Sequence, residues 1–582
     1  SVHGLRRGQG SRQGRVLLME DVYEPLQKYR DEFRVKFAQL TAKAFDRLTR
    51  ASGVDVAANA GLVAKIRSLE RRIARERSVR QWKGFLVSLV AVVISCLGCQ
   101  VWRCLAPFFD AEGPKPNMET LFWFGISLAC ALALEFVVLV PWYRDSTALL
   151  ARLKDKRDET ESTAWRQMEP LNRLYDWDMT LALIQKTVPR LEFDKYFTER
   201  RLQDLRTQFG WSDEFNRNRS VLFAQTGQIN GNPFVVGECL RHELGGKTYT
   251  GSLDISWTER ERGSDGKMRT VRKTETLHAS VNKPCPYFRN EKFVIYGNEA
   301  ASKLTFSRQP SDLSGLDDGF FDSWRKRGEI KKLEALSRNL DDDLGYTMMP
   351  NKEFEALFHA TDRNDEVEFR LLFTPLAQTQ MLALLKDKEI GYGDDFAMYK
   401  DRRINVVWPK HLRDAVIDTN PTRFRDFDYA RAKANFQRFN EQYFKDVYFA
   451  MAPLLTIPLY QQTRTHTAIY GESLKHVASF WEHESIANFC GEKAFQHPTC
   501  VTRNILKTTA ARRPDGTSSV AVTARGYCGL DRVDFVKTYG GDGAYHDVPV
   551  HWTEYRPVEK TSSIVVSERD VSPPAILRRD EQ

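Results

Sequence analysis

Four side chains between residues 476 and 497 are the first to suggest chemistry. His476, His483, Cys490 and His497 recur every seven residues, and imidazole and thiolate are zinc's usual ligands. On one helix, however, a step of seven residues covers about 10 Å. Two ligands of one zinc need a step of three or four. One ion cannot be shared along that row, although Gly491 and Pro498 break the helical pattern and would let His497 and Cys500 fold back. His242 in HELGG and His483 in HESIA each open a zinc-protease pattern that lacks its second histidine. Glu243–Thr248, ELGGKT, resembles the end of a phosphate loop, but the glycine that loop requires is replaced by Arg241, and an alternating strand follows instead of a helix. A hairpin turn is the expectation there. Asp317-Asp318 and Asp341-Asp342-Asp343 lack the alternating spacing and closing Glu of a calcium loop and read as solvated loops or caps. No Gly-x-Ser-x-Gly elbow occurs. The sequence therefore assigns no catalytic residue, no cofactor and no metal, and the chain is read as a non-enzyme.

The elements that would position such groups start at a membrane. Gly84–Leu105 and Leu121–Tyr143 are each about 20 residues of nearly uncharged chain, enough to cross roughly 30 Å of hydrocarbon. Trp82 and Trp102 bracket the first, Trp123 and Trp142 the second, as interfacial aromatic belts do. Residues 1–83 hold 19 basic and 9 acidic side chains, a net of +10, while the remainder sums to −1. That excess abuts the first apolar run, so an anionic lipid surface is the expected partner and nucleic acid is not. Arg71, Arg72, Arg75, Arg77, Arg80 and Lys83 stand before the spans, and Arg144, Arg152, Lys154, Lys156 and Arg157 after them. The loop between, APFFDAEGPKPN, has two acids and one lysine. The positive-inside rule places both flanks in the cytoplasm and the short loop outside. No secretory signal is read, because the first apolar stretch comes late and no small-residue cleavage site fits; the chain opens on Ser1 rather than Met.

Cys239, Cys285, Cys490, Cys500 and Cys528 would face a reducing compartment and are expected as thiols. Cys96, Cys99, Cys104 and Cys130 lie in or beside the spans and read as small packing residues, Cys96-x-x-Cys99 included. Glu135 is the one acid inside a span, close to its cytoplasmic end, and reads as an anchoring or packing residue.

Residues 1–83 are read as basic cytoplasmic helices. The first is amphipathic from Met19 to Arg50, with Tyr29, Phe33, Phe37, Leu40, Ala44 and Leu48 as its stripe, and Gly53 to Gly61 as a break. A second, Leu62 to Lys83, enters the membrane without interruption. Spans at 84–105 and 121–143 enclose a short extracytoplasmic loop, 106–120. A cytoplasmic helical stalk, 144–219, comes next, with apolar spacing too irregular for a long coiled coil. In 220–410 an α+β domain is expected. Tyr249, Leu253, Ile255 and Trp257 alternate there with polar residues, Gly263–Gly266 turns the chain, and Leu277, Ala279 and Val281 return. Glu366 to Phe373 also alternates and reads as a strand, before Thr374-Pro375 opens a helix to Lys388. A helical region, 411–500, short strands in 501–570 and a polar tail, 571–582, complete the chain. The fold class expected is thus an α+β membrane protein: a two-helix hairpin, a helical stalk and a hairpin-rich cytoplasmic domain, then a helical and β-rich C-terminal region.

Three stretches carry a resemblance: YFTERRLQDLRTQFGW, Tyr196–Trp211; INGNPFVVGE, Ile229–Glu238; and NKEFEALFHATDRNDEVEFRLLFTPLAQTQMLALL, Asn351–Leu385. Together with the membrane hairpin they resemble a family of uncharacterised bacterial two-span membrane proteins carrying a domain of unknown function, over roughly residues 20–410. The resemblance implies a fold and no chemistry. The function expected is a membrane-anchored cytoplasmic module that binds protein partners or further copies of itself. The alternatives are a channel or transport component built from the hairpins, with Glu135, Gly125, Ser127, Ala129, Ala131 and Ala133 at its interface, and an enzyme with a site in the C-terminal region.

Overall fold

A computed structural model describes residues 23–105, 118–262, 267–311, 313–314, 320–338, 346–464, 477–513 and 517–567. The aspartate runs at 317–318 and 341–343, His476 and the two loops at 106–117 and 263–266 lie outside them. The chain is a mixture of helix and sheet, and its described residues fall into two compact units: 42–175 with 421–438, and 23–41 with 176–420 and 439–567.

The first unit is dominated by two helices, Val56–Leu105 and Met118–Asn172, each long and apolar enough to cross a membrane. Their most apolar windows have mean hydropathies of 2.3 and 2.2, and 0% and 6% of them is buried, whereas the core helix of a soluble protein is mostly buried. Both run far beyond their apolar windows. Val63, Ile66, Leu69 and Ile73 on one helix and Leu150, Leu153, Ala164 and Met168 on the other are buried, at the spacings of three and four that make a packed seam. The spacing read as irregular therefore does pair these helices. Their start also differs from expectation. The break is confined to Gly53–Asp55, because Asp55 caps the helix by accepting from Ala57 N and Ala58 N (2.9 and 3.0 Å), and Gly61 lies inside it. Residues 421–438 are tied to the pair by Asn59, which donates to the Phe427 carbonyl (2.9 Å) and accepts from Tyr429 N (3.0 Å).

In the second unit a seven-stranded antiparallel sheet has the order β1-β2-β3-β4-β7-β6-β5. The strands are β1 (Leu191–Phe193), β2 (Arg219–Ile229), β3 (Asn232–Arg262), β4 (Met268–Gly297), β5 (Thr305–Arg308), β6 (Phe396–Asp401) and β7 (Ile404–Pro409). A three-stranded sheet, β10-β9-β8, uses β8 (Ile505–Arg512), β9 (Thr517–Tyr539) and β10 (Tyr545–Ser567). The strands expected to be short are thus long. Asn230 and Gly231 both have positive φ between β2 and β3, the two-residue turn that an Asn-Gly pair favours. β1 shows that the stalk ends well before residue 219. The helix Glu199–Phe209, capped by the Thr198 hydroxyl and stopped by left-handed Gly210, lays Leu202, Leu205 and Phe209 on the sheet.

Tyr29, Phe33 and Phe37 from the N-terminal helix pack against Phe444, Tyr448 and Phe449. The buried stripe continues with Thr41 and Phe45, and Leu40, Ala44 and Leu48 lie at its margin. Glu366–Leu372 is a helix, not a strand. Asp365 caps it by accepting from Glu368 N (2.9 Å), and acidic residues occupy its first turn, where the helix dipole favours them. Phe369, Leu372 and Phe373 are buried, while Val367 is 77% exposed, so the apolar period that counts is three and four. The next helix begins as expected, Thr374 capping and Pro375 at its first position.

Candidate functional site

Behind the two sheets lies one helix, Phe480–Phe489, with a Ser479 cap. Trp481 points into the seven-stranded sheet's core with Phe197, Trp211 and Phe293. Ile486 and Ala487 pack instead with Leu506, Val520, Val522 and Ala524 of the three-stranded sheet. Residues on both sides of position 410 therefore share one core, and no division falls there.

A buried polar joint completes this contact. Glu484 Oε2 accepts from Val221 N (3.0 Å) and Asn216 Nδ2 (3.2 Å), and Oε1 accepts from Lys507 Nζ (3.1 Å). Asn488 donates to Ser220 Oγ (2.7 Å), which in turn accepts from Leu506 N (3.1 Å). Burial pushes the Glu484 carboxyl up and the Lys507 amine down, and each charge opposes the other's shift. Such a network specifies an arrangement when its members are satisfied.

The row of candidate ligands does not converge. His483 is buried, and burial lowers its imidazole to about 4. Cys490 is exposed, His497 accepts within its own turn from Thr499 N (3.2 Å), and Cys500 Sγ donates to Asn504 Oδ1 (3.4 Å). Among the described residues no three His, Cys, Asp or Glu side chains are grouped to hold a metal ion. None of three cavities, of about 1020, 730 and 220 Å³, is lined by His483, Cys490 or Cys500. The largest is a lattice of paired charges: Arg219 and Arg241 bond Glu291 (3.2 and 2.8 Å), and Arg289 bonds Glu243 (3.3 Å). The turn expected at ELGGKT is also absent. Gly245 and Gly246 lie inside β3 opposite Cys285 and Pro284, and a Cβ at Gly245 would come within 2.9 Å of the Tyr287 ring.

One buried amine has a measurable consequence. The Lys400 side chain on β6 is fully buried and donates to the carbonyls of Ala300 (3.2 Å) and Arg402. Loss of hydration lowers its pKa to about 7. The unfolded chain then holds an extra proton between about pH 7 and 10.5, so stability rises with pH across that window. The slope should approach about 1.4 kcal/mol per pH unit at its middle. Urea unfolding of the detergent-solubilised chain at several pH values, compared with Lys400→Met, measures it. Equal slopes in the two proteins would contradict this assignment.

The surface that stands out is built by two long hairpins. β3 and β4 stay paired from Phe234–Tyr296 out to Arg262–Met268, far beyond the strands that flank them in the sheet. β9 and β10 pair over their whole length and lie on that outer part. Ile255, Leu277 and Val548 are buried between them, with Leu253, Trp257 and Ala279 alongside. The face expected to be covered is covered, by strands distant in sequence; Trp257 is only half-buried. At Gly251 a Cβ would sit 2.1 Å from the Pro549 carbonyl, so only glycine allows this approach. Lys283 bonds Asp534 (2.6 Å), and Trp552 Nε1 donates to the same carboxylate (2.9 Å).

On the opposite face of the second hairpin, Val533, Phe535, Tyr539 and Tyr545 are exposed, Phe535 by 67% and Tyr545 by 72%. Tyr539 and Tyr545 are register partners with rings 5.2 Å apart. Aromatic side chains gathered on an exposed face resemble the anchors of protein interfaces. Sequence reasoning missed this strip because it took β9 and β10 for several short strands. Comparisons of the chain with protein-family models, with curated proteins and with solved structures give no match.

Proposed function

We propose that this is a two-span bacterial inner-membrane protein whose cytoplasmic body binds a protein partner through the outer face of its paired hairpins. The observation that carries the reading is the apolar strip of Val533 and the three rings of Phe535, Tyr539 and Tyr545, exposed on a part of the hairpin whose other face is already packed. Two features support the anchoring. Almost none of the apolar stretch of either long helix is buried, and the surplus of Arg and Lys lies on one side of them. The resemblance of Asn351–Leu385 to a two-span family is part of the same proposal.

A photo-crosslinking residue placed at Phe535 or Tyr545 and activated in native membranes should trap a discrete protein adduct. The same residue at Val548, buried between the hairpins, should not. Phe535→Ser with Tyr545→Ser should abolish the adduct formed from Tyr539 while changing stability by about 0.5 kcal/mol or less, as surface substitutions do. No adduct at any of the outward positions would contradict the assignment of this face.

The transport reading rests on Glu135. Its side chain is buried in a π-helical segment, Leu134–Leu139, and Oε2 has no hydrogen-bond partner among the described residues. An ionisable group inside a span is functional by default. Conductance lost in Glu135→Gln with assembly intact would favour that reading.

A further inference from the structure

The outward face of β9 and β10 alternates cleanly with their packed face. Asp531, Val533, Phe535, Lys537 and Tyr539 on β9 are exposed, as are Tyr545, Asp547 and His551 on β10. Val548 and Val550, which alternate with them, are buried. Across the ladder Val533 stands opposite His551, Phe535 opposite Pro549, Lys537 opposite Asp547 and Tyr539 opposite Tyr545. Lys537 and Asp547 form no hydrogen bond or ion pair among the described residues.

β10 is also an edge strand, where a further strand would ordinarily add. Proline has no N–H and is tolerated in a strand only where that donor would face away from the ladder. Pro549 and Pro557 therefore interrupt the donors of this edge. The face, rather than the edge, is what the hairpin offers a partner.

The pattern on that face is self-complementary. Let two copies stack face to face, about 10 Å apart as packed sheets are, on a two-fold axis running along the hairpin between its strands. Each β9 residue then lies over its own register partner in the second copy. Lys537 meets Asp547, Asp547 meets Lys537, Tyr539 meets Tyr545, and Phe535 meets the ring of Pro549. Two charges left unpaired in one chain are thus matched twice, as an isologous contact requires.

We propose that the partner bound by this face is a second copy of the chain, joined by two Lys537–Asp547 pairs set among the exposed rings. This rests on the reading that the outer hairpin face binds protein. From Val533 to Tyr539 the strip is about 20 Å long at about 3.4 Å per residue. Two strands of that length fall short of the roughly 800 Å² per partner of a stable interface. Pairing is therefore expected between chains concentrated in one membrane.

Two differently tagged copies of the full chain, co-expressed and each carrying a photo-crosslinking residue at Phe535, test it in native membranes. An adduct bearing both tags is expected. Lys537→Glu in both copies should cut its yield about fivefold or more, because acids then face acids. Asp547→Lys in both copies should do the same with bases. Lys537→Glu in one copy with Asp547→Lys in the other restores opposite charges at both contacts. The two-tag adduct should then return, which also shows that both variants fold. A mixed pair as weak as either variant alone would overturn the self-pairing. So would a discrete adduct with a different protein that never carries both tags, and that result leaves the partner-binding face intact. No adduct from Phe535 or Tyr545 would remove the face and the pairing together.

Discussion

Trp481→Ala should destabilise the sheet-bearing unit by about 3–5 kcal/mol, the range for deleting a large aromatic side chain from a core. Trp481 is 1% exposed. Its ring lies 5.4 Å from Phe197, 6.2 Å from Trp211 and Phe293, and 6.4 Å from Phe215, to which it is nearly parallel. These partners come from β4 and from segments before and after Glu199–Phe209 and cannot close up without moving the sheet. Trp481→Phe should cost much less, because Nε1 has no hydrogen-bond partner to lose among the described residues. For the same reason a fragment of residues 220–410, which would fold alone if a domain ended there, should be molten or insoluble. Chemical unfolding followed by tryptophan fluorescence checks the first result, and the near-ultraviolet dichroism of the fragment the second. A cooperative melt by the isolated fragment would contradict the shared core.

Arg363→Ala should cost a similar amount, about 3–5 kcal/mol, by stranding a buried carboxylate. Arg363 is fully buried between the rings of Tyr346 and Phe369. It donates to both oxygens of Glu355 (3.0 and 2.9 Å), to Glu366 (2.7 Å) and to the carbonyls of Thr347 (2.8 Å) and Ala360 (3.3 Å). Lysine cannot reproduce this planar fork, so Arg363→Lys should recover little. Removing both charges, as Arg363→Leu with Glu355→Leu, should recover more, since the fully buried carboxylate leaves with its partner and Glu366 keeps Arg370 at 3.7 Å. A double variant less stable than Arg363→Ala would show that the ion pair itself, and not the stranded carboxylate, sets the cost.

That network shows what could be read ahead of the structure. NKEFEALFHATDR and DEVEF were visible as a pattern, and Thr374-Pro375 as a helix start, because capping is local. The partnership of Glu355 with Arg363 was not, since charge in a sequence says nothing of burial. Glu366–Phe373 was misread because an amphipathic helix of two turns also places apolar residues at alternate positions; the Asp365 cap followed by Glu366 and Glu368 was the overlooked signal. The two long apolar helices were legible from composition alone. Gly526 and Gly529 hid the length of β9 by resembling turn residues. In the fold each admits a close neighbour instead: a Cβ on Gly526 would lie 2.5 Å from Cys500 Sγ and one on Gly529 3.0 Å from Thr553. The contact of Trp481 with Phe293 joins segments with no local signature of each other.

Membrane orientation is the claim on which the interaction reading depends, and site-directed thiol labelling of intact cells measures it most directly. The nine native cysteines are free thiols, so the background carries serine at each. Single cysteines then replace Ala111, in the loop between the spans, and Thr270, exposed on β4. With an impermeant reagent outside, Ala111→Cys should label and Thr270→Cys should label only after the cells are opened. Replacing Arg71, Arg72, Arg75 and Arg77 by Glu should scramble that pattern, because the Lys/Arg bias beside the span sets orientation. Labelling of Thr270→Cys in intact cells carrying the unaltered arginines would contradict a cytoplasmic body.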